Sequence, residues 1–228
     1  NDAISIISIP DTTAIEDIEY VYEVQTLDDD LNDATRFNLN IAPYGMEIDS
    51  LTGRISWLPD NSNVGDTLVS FSVVDDSGST DIQIYNLHVL NTNDTPVISS
   101  VPDTIATEDV LYSYQVVGED VDQGDNLHYQ FLSAPTGMEI DDTSGLITWT
   151  PTNDAVGDTL VMIVVADDTA ATDTQSFYLH IANVNDPPVA NNPMADFSVD
   201  EDSPRASFAL YDIFHDDDIS SVNDSLSF

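Results

Sequence analysis

Apolar and polar residues alternate with a period of two along most of this chain. Glu19 to Val24, Arg54 to Trp57, Thr67 to Val74 and Asp81 to Leu90 each read as a β-strand. In the segment Ile82 to Val89 the apolar residues fall mostly on one face, which predicts a half-buried antiparallel strand rather than one covered on both sides. Turn signals separate these runs at Pro43-Tyr44-Gly45, Ser50-Leu51-Thr52-Gly53, Pro59-Asp60-Asn61 and Asp76-Ser77-Gly78. No stretch carries the 3.6-residue periodicity of an amphipathic helix. Roughly seven short strands in about 92 residues predict an all-β fold of immunoglobulin-like sandwiches.

The pattern then repeats. Asn1-Asp2, Asn93-Asp94 and Asn185-Asp186 recur every 92 residues, and the same offset carries Gly45-Met46-Glu47-Ile48-Asp49 to Gly137-Met138-Glu139-Ile140-Asp141 and Trp57 to Trp149. A period of this length is one small domain per copy. The boundaries expected are 1–94 for the first repeat, 95–186 for the second and 187–228 for the start of a third. That last segment is too short to close a two-sheet core alone, so its completion is expected from a continuation or from another chain's strand. The chain reads as a piece of a longer protein. Asn91 to Pro96 is a short polar joint without glycine, stiffened by its proline.

Composition narrows the partners. Asp and Glu total 43 against 3 Lys and Arg, for a net charge of −40. Such a surface repels nucleic acid and anionic membranes and favours cations. A hydrophobic content of 41% supports real cores, so this is not a disordered acidic tail. Cysteine is absent, which excludes disulfides and thiolate metal sites. No apolar run is long enough to cross a bilayer as a helix. Scattered acids fit a surface adapted to salt. Acids that recur at fixed places invite a sharper reading: Glu16 and Glu108, Asp28/Asp30 and Asp120/Asp122, Asp75 and Asp167, and the Asn-Asp pairs. Exposed positions drift between copies, Glu23 to Gln115 and Arg54 to Leu146, whereas these do not.

Asn93 to Pro96 and Asn183 to Pro188 resemble the calcium-binding linker motif of cadherins. Pro135 to Asp141, followed by Ser144 to Pro151, resembles bacterial dystroglycan-type cadherin-like and "putative Ig" domains, and Val156-Gly157-Asp158 and Val165 to Asp168 fit the same pattern. The resemblance covers both full repeats and the start of the third. It implies tandem extracellular, cadherin-like β-sandwiches in large surface proteins and adhesins, often calcium-bound. It also implies ligands: an early acid at Glu16, Glu108 and Glu201; an Asp-x-Asp pair at Asp28/Asp30, Asp120/Asp122 and Asp216/Asp218; and a late Asp at Asp75 and Asp167. The linker pairs are Asn93/Asp94 and Asn185/Asp186. The acidic loop motif of cadherins is degraded here, with Asp60 and Asp154 as offset substitutes, so fewer ions per joint are expected.

Calcium takes about six to eight oxygens at about 2.3–2.6 Å, which such a set of carboxylates and amides supplies; magnesium holds its waters and suits the set less well. Without an ion, two charges about 4 Å apart repel by about 4 kcal/mol at an effective dielectric of 20. Calcium ions and neighbouring repeats are therefore the expected partners, and the expected function is a calcium-stiffened stalk segment of a secreted or cell-surface adhesin. The alternatives are a glycan-binding or self-associating recognition module, for which Tyr20, Tyr22, Tyr112 and Tyr114 are candidates if they face solvent, or a filament-forming subunit. An EF-hand from Asp28 fails because Asp33 and Leu39 occupy its Gly and Glu positions. No Gly-x-Ser-x-Gly or His-Glu-x-x-His motif is present, a phosphate loop lacks its lysine, and no single carboxylate pair stands out; catalysis is not expected.

Overall fold

The computed structural model describes residues 3–28, 34–190, 198, 201–202 and the backbone of 214–215. The chain forms two compact units, Asn1–Asp94 together with Val121–Gln123, and Thr95–Asp120 together with Gly124–Phe228. The first contains β1 (Ser5–Ile6), β2 (Thr13–Ile15), β3 (Tyr20–Glu23), β4 (Thr26–Leu27), β5 (Arg36–Ile41), β6 (Glu47–Ile48), β7 (Arg54–Trp57), β8 (Gly65–Val74) and β9 (Thr80–Leu90). The second repeats them as β10 (Val97–Ile98), β11 (Ile105–Thr107), β12 (Tyr112–Gln115), β13 (Gly118–Glu119), β14 (His128–Ser133), β15 (Glu139–Ile140), β16 (Leu146–Trp149), β17 (Gly157–Ala166) and β18 (Thr172–Ala182). Beyond them β19 (Val189–Ala190) pairs antiparallel with β20 (Phe214–His215).

The long alternating runs lie where the sequence places them. β8 and β9 pair antiparallel from Gly65 opposite Val89 to Val74 opposite Thr80. They form the centre of a four-stranded sheet ordered β2-β9-β8-β5, and a three-stranded sheet, β3-β7-β6, packs over it. The second unit repeats this as β11-β18-β17-β14 and β12-β16-β15. Each unit is therefore an immunoglobulin-like sandwich. β2 and β11 run parallel to their neighbours, and β1 and β10 pair instead with β4 and β13. These short pieces lie below the length at which alternation is legible, so the strand count exceeds seven.

Alternation fills the cores from both sheets. Ile55, Val69, Phe71, Val73 and Leu87 are fully buried in the first unit, and Ile147, Val161, Ile163, Val165, Leu179 and Ile181 in the second. Trp57 and Trp149 are core residues, and each indole donates to a loop carbonyl, of Tyr44 at 3.1 Å and Thr136 at 3.2 Å. Tyr20, Tyr22, Tyr112 and Tyr114 each retain 6% exposure, so the tyrosine face considered for glycan contact points into the sandwiches. The Tyr22 hydroxyl donates to Gln83 at 2.9 Å, and the Gln83 amide donates to the Ser8 carbonyl at 2.9 Å; Tyr114, Gln175 and Ser100 repeat the clamp. Burial pushes the Tyr112 phenol up to about 12, so it stays a neutral donor at any physiological pH.

Gly145 shows how tightly a turn meets its core. Its φ is +70°, and a Cβ there would lie 2.8 Å from the Val116 carbonyl and 3.2 Å from the Tyr129 ring. Gly157, at φ +111°, has nothing within 4 Å of such a Cβ. Gly145→Ala is expected to cost about 2–4 kcal/mol, from left-handed strain plus overpacking, and Gly157→Ala less. Urea midpoints check this; equal losses would remove the close approach as the cause.

Candidate metal centre

Each early glutamate is aimed by a left-handed turn. Asp17 has φ 59° and Asp109 φ 58°, so the chain reverses directly after Glu16 and Glu108. The Glu16 amide donates to the Leu90 carbonyl at 3.1 Å and that of Asp17 to Pro59 at 2.9 Å, and Glu108 and Asp109 repeat both bonds with Ala182 and Pro151. Aspartate tolerates this conformation better than most residues. The turn drives the glutamate side chain inward: Glu16 is 0% and Glu108 1% exposed.

Three carboxylates converge in the first unit. Oxygens of Glu16, Asp94 and Asp122 lie within 4.8 Å of one another. Glu16 Oε1 accepts from the Thr92 amide at 2.5 Å, the Asp94 amide donates to Asp122 Oδ2 at 2.7 Å, and Asn61 Nδ2 donates to Asp94 Oδ2 at 2.7 Å. Glu16 Oε2 is fully buried without a hydrogen-bond donor, as is Asn61 Oδ1. A buried acceptor left in this state costs about 1–3 kcal/mol, and more when charged. A cation among these oxygens removes that cost. The donor set is carboxylate and amide oxygen, without sulfur or imidazole, and fits a hard ion such as calcium rather than zinc.

A second cluster lies in the other unit, where oxygens of Asp120, Asp125 and Asp167 come within 4.8 Å of one another. Asp167 is 4% exposed and is positioned by its own turn: Oδ1 accepts from the amides of Thr169 and Ala171, both at 2.8 Å. Asp75 makes the same turn with Ser77 and Ser79, both at 2.9 Å.

Sequence and structural comparisons place this geometry in a family. The model of the family described as "Putative Ig domain" matches residues 3–90 and again 95–182. The chain belongs to this Putative Ig domain family. Its two Putative Ig repeats are folded like cadherin repeats. PcdhgB3 EC1-4 superposes with a TM-score of 0.61 at 15% identity over 80% of this chain and 50% of that one. Human Protocadherin-24 EC1-2 gives 0.57 at 18% over 81% and 100%, and mouse Cadherin-23 EC22-24 gives 0.55 at 14% over 85% and 71%. At these identities the likeness is one of fold. The chain spans half the length of PcdhgB3 EC1-4. No curated protein matches it by sequence.

The remaining expected ligands of the Putative Ig repeats take several positions. Asp28 is half-buried, and Asn93 and Asn185 are exposed, each turning its amide onto the carbonyl of the following aspartate, Asp94 at 2.7 Å or Asp186 at 3.0 Å. Asp60 is engaged elsewhere: its Oδ1 accepts from the Ser62 amide at 2.9 Å and caps a short 3-10 turn, Asn61–Asn63, and the next residue, Asn61, reaches Asp94. Asp154 is exposed in the first turn of the equivalent Asn153–Ala155 helix. Glu108 Oε1 accepts from the Val184 amide and its Oε2, like that of Glu16, is buried without a donor; Asp186 is half-buried. Glu201 is exposed, and Asp202 after it is left-handed at φ 67°, as Asp17 and Asp109 are. Asp30, Asp216 and Asp218 lie outside the described residues. Sequence reasoning missed Asn61 and Asp125, although a signal existed: both recur at the repeat offset, as Asn153 and Asp33.

Proposed function

We propose that these acidic clusters hold calcium and that the chain is a spacer segment of an extracellular adhesion protein, its repeats stiffened by the ions. The observation that carries the reading is Glu16 Oε2, wholly buried and without a donor beside Asp94 and Asp122. A carboxylate in that state either neutralises or binds a cation, and the neighbouring carboxylates favour the cation. Glu16 and Asp94 belong to the first sequence repeat and Asp122 to the second, so an ion bound by all three would join successive repeats. Metal-free, their mutual repulsion would loosen that connection; metal-bound, the same charges would hold it.

No helix among the described residues is long and apolar enough to cross a membrane. A spacer role draws further support from the absence of any distinctive chemistry outside features that recur in both repeats. Isothermal calorimetry on the chain should show calcium binding that magnesium at equal concentration does not match, and small-angle scattering should show a smaller maximum dimension in chelator. Absent heats would reject the ion, whereas binding with unchanged dimensions would reject stiffening alone.

A further inference from the structure

Asp and Glu make up 43 of 228 residues, yet one broad surface in each unit nearly excludes them. On the outward face of the β2-β9-β8-β5 sheet Asp66 is the one carboxylate among the described strand residues, and it sits at one end, 2.7 Å from His88. Further along the face stand Leu68, Ile82 and Ile84, which are 42%, 56% and 64% exposed. Ile84 pairs opposite Ser70, Ile82 opposite Ser72 and Leu68 opposite Asn86, so the three adjoin on one side of the ladder. The β11-β18-β17-β14 sheet has the same arrangement. Asp158 is its one outward strand carboxylate, again 2.7 Å from a histidine, His180. Leu160 lies opposite Tyr178, which is 68% exposed, and Met162 is next along the strand.

Strand propensity does not account for this. The outward face of the β3-β7-β6 sheet carries Glu23 and Glu47 on strands, with Arg54 paired to Glu23 at 3.2 Å. Nor is it inheritance of the same side chains from a common repeat. The counterpart of Ile84 is Ser176 and that of Tyr178 is Asn86, so the two units build apolar patches from different positions. What recurs is a bulky, carboxylate-poor face.

We propose that this face is where two copies of this chain associate side by side, four-stranded sheet to four-stranded sheet. A chain of net charge −40 repels its own copies, and burying its carboxylates without partners is costly. Two copies meet at least electrostatic cost through the one broad face that presents almost none. A cationic partner would select the acidic surfaces instead, and an uncharged apolar face is matched by another of its kind. Monovalent salt screens the residual repulsion and leaves the apolar contact intact, so association strengthens as salt rises. This inference is independent of calcium.

Sedimentation velocity across a concentration series tests it, at low salt and near 1 M sodium chloride, each in chelator and in calcium. The wild-type chain is expected to shift towards dimer with concentration, and more so at high salt. Ile84→Glu combined with Tyr178→Glu alters only exposed positions and is expected to keep the wild-type circular dichroism and melting profile. It should weaken dimerisation by about 100-fold or more, because each copy then buries unpaired charge. A wild-type chain that stays monomeric in all four conditions overturns the proposal, as does a well-folded variant that dimerises like the wild type.

Discussion

Calcium is expected to raise the melting temperature of the first unit by roughly 10–20 °C. An ion present at about 100 times its dissociation constant stabilises the folded state by about 2.7 kcal/mol, and each kcal/mol moves the midpoint of a domain of about 100 residues by about 4–8 °C. Glu16→Gln separates the ion from a purely structural role for this side chain. Glutamine keeps an oxygen for the Thr92 amide, which Glu16 Oε1 accepts at 2.5 Å, and brings an amide donor towards Asp94 and Asp122. In chelator the variant should therefore melt no lower than wild type, because one repelling charge has gone. In calcium it should lose most of the stabilisation, because the ion loses a charged ligand. Scanning calorimetry of both proteins under both conditions decides the matter. A wild-type midpoint that ignores calcium would end the metal reading; an equal loss in both conditions would make Glu16 a structural residue only.

Phe71→Ala is expected to cost the first unit about 3–5 kcal/mol while leaving the second unit's transition in place. The ring is 0% exposed, at the centre of β8, and packs edge-on against Tyr22 with centroids 6.0 Å apart. Truncation loses its transfer free energy and leaves a cavity that the fully buried Val69, Val73 and Leu87 can close only in part. The two cores share no residue: one draws on positions from Ile4 to Val89, the other from Ala106 to Ile181. A calorimetric trace with one transition lowered and one unmoved is the expected outcome. Equal lowering of both would mean that the units unfold as one cooperative body.

The same residues show how far sequence reading reaches. Alternation along Thr67 to Val74 and Asp81 to Leu90 marks β8 and β9 because a strand's period of two is local: each residue's face follows from its neighbour's. The 92-residue recurrence marks two sandwiches because the same pattern must bury the same faces twice. It also singles out Glu16, Glu108, Asp122 and Asp167 as unusual acids, although two copies alone cannot say which of them meet.

Convergence is decided in three dimensions. Glu16 and Asp122 are distant in sequence, and their approach depends on a left-handed turn at Asp17 and on loops whose course no local period records. Asp60 and Asn61 make the point within two residues. Either could have been the ligand by composition, but a 3-10 turn takes the carboxylate as its cap and turns the amide towards Asp94. Tyr20 and Tyr22 likewise read equally well as an exposed aromatic face or as core until the opposing sheet covers them. By itself the sequence determined strands, repeats and a surplus of carboxylates. The tertiary structure decided which carboxylates leave water together, because burial depends on what packs above a residue and not on its neighbours along the chain.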